Sequence, residues 1–204
     1  MFKVILWDFD GVIFDSMKIK AEGFTEIFQE YPEMYLQKIR EYHYANGGVS
    51  RFDRIRYFYK ELLQQNITDE IVKHKADAFA QIMQKNLFNK EFLFRETVEF
   101  IQKYYQEYSF HIVSGAQEDE LRDLCHYLNL SNYFLSINGS PIKKEILVAN
   151  IIEKYHYKQE EVILIGDSIN DYNAAQYNGI AFYGYNNPTL KGYGNYIENF
   201  KEFI

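Results

Sequence analysis

A chain of 204 residues with 47% apolar and 18% aromatic content can bury one core, or a core carrying a smaller insertion, and is too apolar to be disordered. Its net charge of −7 offers no basic footprint for nucleic acid or for an anionic membrane surface. The lone cysteine, Cys125, excludes a disulfide framework and fits a reducing cytoplasm.

The first predicted element is Phe2-Lys3-Val4-Ile5-Leu6-Trp7, a short and largely apolar run that reads as a buried strand. It is too short for a signal peptide, and nothing in the chain approaches the roughly 18 apolar residues of a membrane span. The expectation is a soluble cytoplasmic protein with no membrane partner. The run ends abruptly in Asp8-Phe9-Asp10-Gly11-Val12, two carboxylates two residues apart, followed by a glycine.

Helical periodicity follows near 17–30, 34–46, 51–65 and 68–86, punctuated by Pro32 and Gly47-Gly48. A strandless block of roughly 70 residues is too long for an ordinary crossover. It predicts an inserted all-helical cap subdomain, residues 16–87, over the carboxyl edge of a sheet and hinged near 14–18 and 86–94.

Beyond it, strands and helices alternate. Helices are predicted at 96–107, 118–128, 143–155 and 170–178. Ser109–Val113 ends in Ser114-Gly115, Tyr133–Ile137 in Asn138-Gly139-Ser140-Pro141, Val162–Ile165 in Gly166-Asp167-Ser168, and Ile180–Tyr183 in Gly184. This rhythm predicts an α/β core, a doubly wound, Rossmann-like parallel sheet built from residues 1–15 and 88–204.

The strand ends carry the chemistry, and in a doubly wound sheet they converge on one crevice. Asp8 and Asp10 end the first, Ser114 and Gly115 the second; Lys143 and Lys144 open the helix after the third, and Asp167 and Asp171 follow the fourth. At ~4 Å and an effective dielectric near 20, each like-charge pair costs roughly 4 kcal/mol. Either some acids are protonated or a cation lies among them. Oxygen-only ligands, with waters and a substrate oxygen completing the shell, suit Mg²⁺. The ion, a lysine, the Ser114 hydroxyl and free N–H groups at a helix start would together neutralise a phosphate dianion. The paired aspartates then divide: one attacks phosphorus to form an acyl phosphate, and the other serves as general acid and base.

Taken in order, Asp8-Phe9-Asp10-Gly11-Val12, Ile112-Val113-Ser114-Gly115, Lys144 after Gly139-Ser140-Pro141, and Gly166-Asp167-Ser168-Ile169-Asn170-Asp171 resemble the four motifs of the haloacid dehalogenase superfamily. The inserted helices resemble its helical cap, as in phosphoglycolate phosphatases and β-phosphoglucomutases. The resemblance implies Asp8 as nucleophile and Asp10 as acid/base. It implies Mg²⁺ held by the Asp8 carboxylate, the Asp10 carbonyl and Asp167, with Asp171 near or on the ion. Ser114, Gly115 and Lys144 would bind the transferring phosphate, with Lys143 competing for the lysine role. Relatives that act as dehalogenases lack an acid at the second position, so Asp10 favours phosphoryl transfer. One departure is Phe94-Arg95-Glu96, where many relatives have a Pro-Gly turn.

In the cap, Gly47-Gly48-Val49-Ser50-Arg51 resembles the segment with which β-phosphoglucomutases grip a distal phosphate, so Arg51 is a candidate substrate ligand; Lys18 and Lys20 could also face the crevice. The five histidines show no ligand spacing. The expected protein is a monomeric or weakly dimeric Mg²⁺-dependent phosphatase acting on a small phosphorylated metabolite. A sugar-phosphate mutase is the alternative, and a non-catalytic ligand-binding protein the third reading.

Overall fold

The computed structural model describes residues 2–203. Val4–Trp7 (β1), Ser109–Gln117 (β2), Ser136–Ser140 (β3), Val162–Gly166 (β4), Ala181–Tyr185 (β5) and Asn195–Ile197 (β6) form one parallel sheet in the order β3-β2-β1-β4-β5-β6. Strand order reverses at β1, whose two neighbours are β2 and β4. The carboxyl end of β1 is therefore the topological switch point, where such sheets open a crevice.

Alternation along β1 divides the core into two layers. Ile5 and Trp7 face Arg95–Tyr104 (α5) and Glu118–Tyr127 (α6), joining Phe100, Ile101, Leu121 and Leu124. Val4 and Leu6 face Lys144–Tyr155 (α7) and Ile169–Tyr177 (α8), joining Leu147, Val148, Ile151 and Ala175. Trp7 is fully buried, with its ring centroid 5.5 to 5.8 Å from those of Phe100, Phe110 and Phe200. Such aromatic contacts add to the area buried and fix the strand's lateral position.

Between β1 and α5 lie Met17–Ile27 (α1), Glu33–Ala45 (α2), Arg51–Tyr57 (α3) and Asp69–Asn86 (α4). Their own core is aromatic: Phe28 stacks on Phe58 at 3.7 Å and Phe24 on Phe79 at 4.3 Å. The helix predicted to run through 51–65 is α3 followed by a π-helical turn, Phe58–Leu62. The chain enters and leaves the insertion on adjacent segments. Asp15 N donates to Phe92 O at 2.7 Å, and Phe94 N donates to Ile13 O at 3.0 Å.

Two strand expectations need correction, and a sixth strand was not foreseen. The third strand is Ser136–Ser140, not 133–137, because Tyr133 closes a 3₁₀ turn and Phe134 packs into the core from outside the ladder. As an edge strand, β3 needs few apolar residues of its own. The second strand runs on to Gln117, with a register shift between Val113 and Gln117 that bends the chain at Ser114–Ala116. The sixth strand, at the other edge, has only three residues and no apolar run to betray it.

His111 lies in β2, fully buried, with Nδ1 2.8 Å from Ser136 Oγ and Nε2 3.0 Å from the Tyr157 hydroxyl. Burial, with Lys154 adding, pushes its pKa down to about 4. Below an unfolded-state value of about 6.5, the unfolded chain takes up a proton that the native state refuses. Stability is therefore full above that pH and is lost as pH falls toward 4. Between pH 7.5 and 4.5, wild type should lose ~2 kcal/mol more urea stability than His111→Gln. Equal losses would show that His111 does not titrate in this way.

Candidate active site

Asp8 follows β1 directly and is 1% exposed. Its Oδ1 accepts from the Phe9 N–H at 2.8 Å and faces Lys144 Nζ at 2.8 Å, while Oδ2 has no partner. Burial pushes the carboxyl up to about 7, with Asp171 adding to the rise and Lys144 opposing it. Lys144 opens α7, is itself buried, and also bonds Asp171 Oδ1. Burial disfavours its ammonium, but Asp171 and Asp8 outweigh that and raise its pKa. Of the two candidate lysines, Lys144 enters the acid cluster and Lys143 is exposed.

Asp167 follows β4, and its Oδ1 is buried without a partner. Its pKa is pushed well above the ordinary value by burial first, then by Asp8 and Asp171. Asp171 spends both oxygens within the protein. Oδ1 receives Lys144, while Oδ2 accepts from the Ser168 N–H at 3.1 Å and the Ser168 hydroxyl at 2.5 Å, closing the capping box of α8. Oxygens of Asp8, Asp167 and Asp171 all lie within 4.8 Å of one another.

Asp10 is placed differently. Its Oδ1 accepts from the Ser16 hydroxyl and its Oδ2 from Lys20 Nζ, each at 2.5 Å. Burial would raise the carboxyl, but Lys20 and Ser16 together hold it below the ordinary value. With all four ionised, Asp8, Asp10, Asp167 and Asp171 would share two ammonium groups and leave two negative charges unbalanced. Those charges, the orphaned oxygens of Asp8 and Asp167, and an all-oxygen donor set fit a hard divalent cation. Asn187 Nδ2 fixes Asp167 through its carbonyl at 2.7 Å, and Asn186 Nδ2 fixes Gly11 O at 3.0 Å. Gly11 has φ +81°, and a Cβ there would lie 2.0 Å from Asp167 Oδ2.

The insertion closes this cluster from above. Gly48 and Gly47 lie against Lys144 and Ser168, and Asn170 Nδ2 donates to Gly47 O at 2.6 Å. Ser114 is buried at the bend of β2, where its Oγ accepts from the Ala116 N–H at 3.1 Å. The next residue, Gly115, meets the insertion. Arg51 starts α3, lies over the Phe79 ring and pairs through both terminal nitrogens with Glu120 of α6. Arg51, Lys20, Asp10 and Gly115 line a cavity of about 40 Å³ between the insertion and the carboxyl edge of the sheet. Ser16, Arg54, Asn170, Asn186 and Asn187 were not singled out in the sequence; Ser16 lies in a hinge and Asn170 inside the fourth motif, whereas Arg54, Asn186 and Asn187 carry no local signal. Lys18 pairs with Glu22 on the exposed side of α1, whereas Lys20 faces inward.

A Cβ on Gly115 would lie 2.2 Å from the Gly48 carbonyl oxygen, which is backbone and cannot swing aside. Gly115→Ala should therefore hold the insertion off the cluster. The expected result is at least a tenfold loss of kcat/KM with a cooperative thermal transition retained; a rate within twofold of wild type would show that this contact is not needed.

A sequence model described as haloacid dehalogenase-like hydrolase matches residues 5–185. The phosphoglycolate phosphatase of Vibrio parahaemolyticus is 23% identical over 190 residues, covering 89% of this chain and 82% of that protein. Among solved structures, a predicted phosphatase from Clostridium acetobutylicum superposes with a TM-score of 0.79 at 15% identity, covering 100% of this chain and 96% of that one. A β-phosphoglucomutase from Clostridium difficile superposes at 0.75 with 12% identity, covering 100% and 94%. With the family model spanning both halves of the core and the insertion between them, the chain belongs to the haloacid dehalogenase-like hydrolases.

Proposed function

We propose that the protein is a Mg²⁺-dependent phosphatase that hydrolyses a small phosphorylated metabolite through a phosphorylated Asp8. The observation that carries this reading is the buried cluster in which Asp8 keeps one oxygen free of any donor while Lys144 holds the other. Asp8, Asp167 and the Asp10 carbonyl would hold the ion, with Asp171 positioning Lys144. When bound, Mg²⁺ offsets the charge of the acids and of the substrate phosphate.

The protein's own groups account for the remaining steps. Lys144 and the chain at Ser114-Gly115 orient the phosphoryl group against Asp8. The Asp8 carboxylate bonds to phosphorus as the ester P–O bond breaks, and Asp10, protonated for this step, gives its proton to the leaving oxygen. Water then attacks the acyl phosphate and releases inorganic phosphate. Once it has given up that proton, Asp10 is stabilised as the carboxylate by Lys20 and Ser16, the form that accepts the attacking water's proton. Residues 16–87 act as a cap that moves about the paired segments near 14–18 and 86–94, excluding bulk water when seated.

The phosphoglycolate phosphatase relatives support a short phosphorylated acid as substrate. The mutase alternative drew on Arg51, whose guanidinium is already paired with Glu120.

Asp8→Asn should lower Mg²⁺-dependent phosphate release by roughly 10³-fold or more and abolish acid-stable phosphate trapping on the protein. Full activity in that variant would overturn the mechanism. Stripping with EDTA should abolish release, Mg²⁺ should restore it, and Mg²⁺ should raise the melting temperature of wild type but not of Asp167→Asn. A sugar 1-phosphate should yield free phosphate or no reaction; accumulation of the 6-phosphate would favour the mutase.

A further inference from the structure

Arg54, on α3, is 3% exposed and has no carboxylate within ion-pairing distance among the described residues. Its Nη2 donates to Asn46 O at 3.0 Å and Val49 O at 3.3 Å, and Nη1 donates to His43 Nδ1. Nε has no partner. His43 supplies no charge: its Nδ1 accepts from a group that can only donate, and its Nε2 donates to Met17 O at 2.9 Å, so the ring is neutral. The faces of the guanidinium meet Phe24 at 5.0 Å and Tyr42 at 5.9 Å. Burial pushes the pKa of the group down to about 10.

A cation whose contacts are neutral dipoles and rings is costly to hold, because removal from water is repaid only in part by Asp10, which is not in contact and is already paired with Lys20. The neighbouring charges in the same cavity wall are already matched. Lys20 has Asp10, and Arg51 has Glu120. Arg54 lines that cavity without such a partner, and the missing anion must come from outside the protein. The space in that cavity that water-sized groups can fill is small, about 40 Å³, which suits a short tail.

We propose that Arg54 selects the substrate by receiving a carboxylate at the far end of a short phosphate ester, so that phosphorylated small organic acids are preferred over esters with neutral tails. This rests on the phosphatase reading above and adds to it the residue and the charge that discriminate. Desolvated Arg54 loses little further solvation when the carboxylate arrives, which is why the pairing is worth more here than at an exposed arginine. Because Nη2 ties down the loop at 46–49 and Nη1 is bound to His43, the guanidinium is held in place before substrate enters.

The test uses the full chain with Mg²⁺ and three esters: 2-phosphoglycolate, its carboxamide and ethyl phosphate. Wild type should favour 2-phosphoglycolate over each neutral ester by at least tenfold in kcat/KM. Arg54→Met should bring that ratio close to one, and Arg54→Lys should restore part of it. A ratio unchanged in Arg54→Met would overturn the assignment. Should Arg54→Met lose its cooperative thermal transition, wild type alone decides, since equal rates on the acid and its carboxamide refute an anion subsite. Phosphate release from none of these esters, nor from a panel of sugar phosphates and nucleotides, would overturn the phosphatase reading itself. Release of phosphate from all three esters at equal rates would overturn only the role of Arg54.

Discussion

The carboxyl edge of the sheet is organised around one electrostatic constraint: three carboxylates, two buried and one half-buried, that share a single buried ammonium. Oxygens of Asp8, Asp167 and Asp171 lie within 4.8 Å of one another, and among the described residues Lys144 is the only cation in contact with them, pairing with Asp8 and Asp171. Like charges at that range raise one another's pKa, as they do at Asp8 and Asp167. A sheet of apolar strands has no use for such a cluster, and its persistence demands a scaffold that cannot relax. Trp7 fixes β1 among three phenylalanines, and the Ser168–Asp171 capping box fixes the start of α8. Asn186 and Asn187 reach across from the end of β5 to hold the loops that carry Gly11 and Asp167.

The four acids therefore play different parts although their chemistry is the same. Asp171 is saturated with donors and is the anchor for Lys144. Asp8 and Asp167 each keep an oxygen with no donor, the arrangement a cation and a phosphorus centre require. Asp10 is paired with Lys20 and lies to the cavity side. Environment, rather than residue type, assigns each role.

Much of this was legible in the sequence because it is local. A strand that stops at two acids, a serine-glycine bend, a lysine at a helix start and Gly-Asp-Ser-x-x-Asp are each written within a few residues, and the alternation of strands and helices brings them to one edge. The features that escaped depend on contacts distant in sequence. Nothing near residues 133–137 reveals that the edge strand begins at Ser136, since its register is set by His111 and Ile112. Asn195–Ile197 pairs with β5 with almost no apolar signal. Arg51 and Arg54 lie one helical turn apart, and sequence alone favoured Arg51. What separates them is Glu120, 69 residues away from Arg51, which supplies a counter-ion to one arginine and not the other.

The insertion touches the acids themselves and not merely the rim around them. Lys20 of α1 bonds Asp10, Gly48 lies beside Lys144, and Asn170 reaches from α8 to Gly47. Movement of the helices away from the sheet would take the ammonium from Asp10 and open Lys144 to water in the same displacement. Asp10, freed of Lys20, would lose the interaction that holds it ionised, while water would screen the pull of Lys144 on Asp8. The electrostatics of the crevice thus depend on the position of the helices as much as on the sheet. An ester whose tail engages Arg54 binds to that same helical layer, so recognition of the tail and completion of the acid cluster draw on one closure.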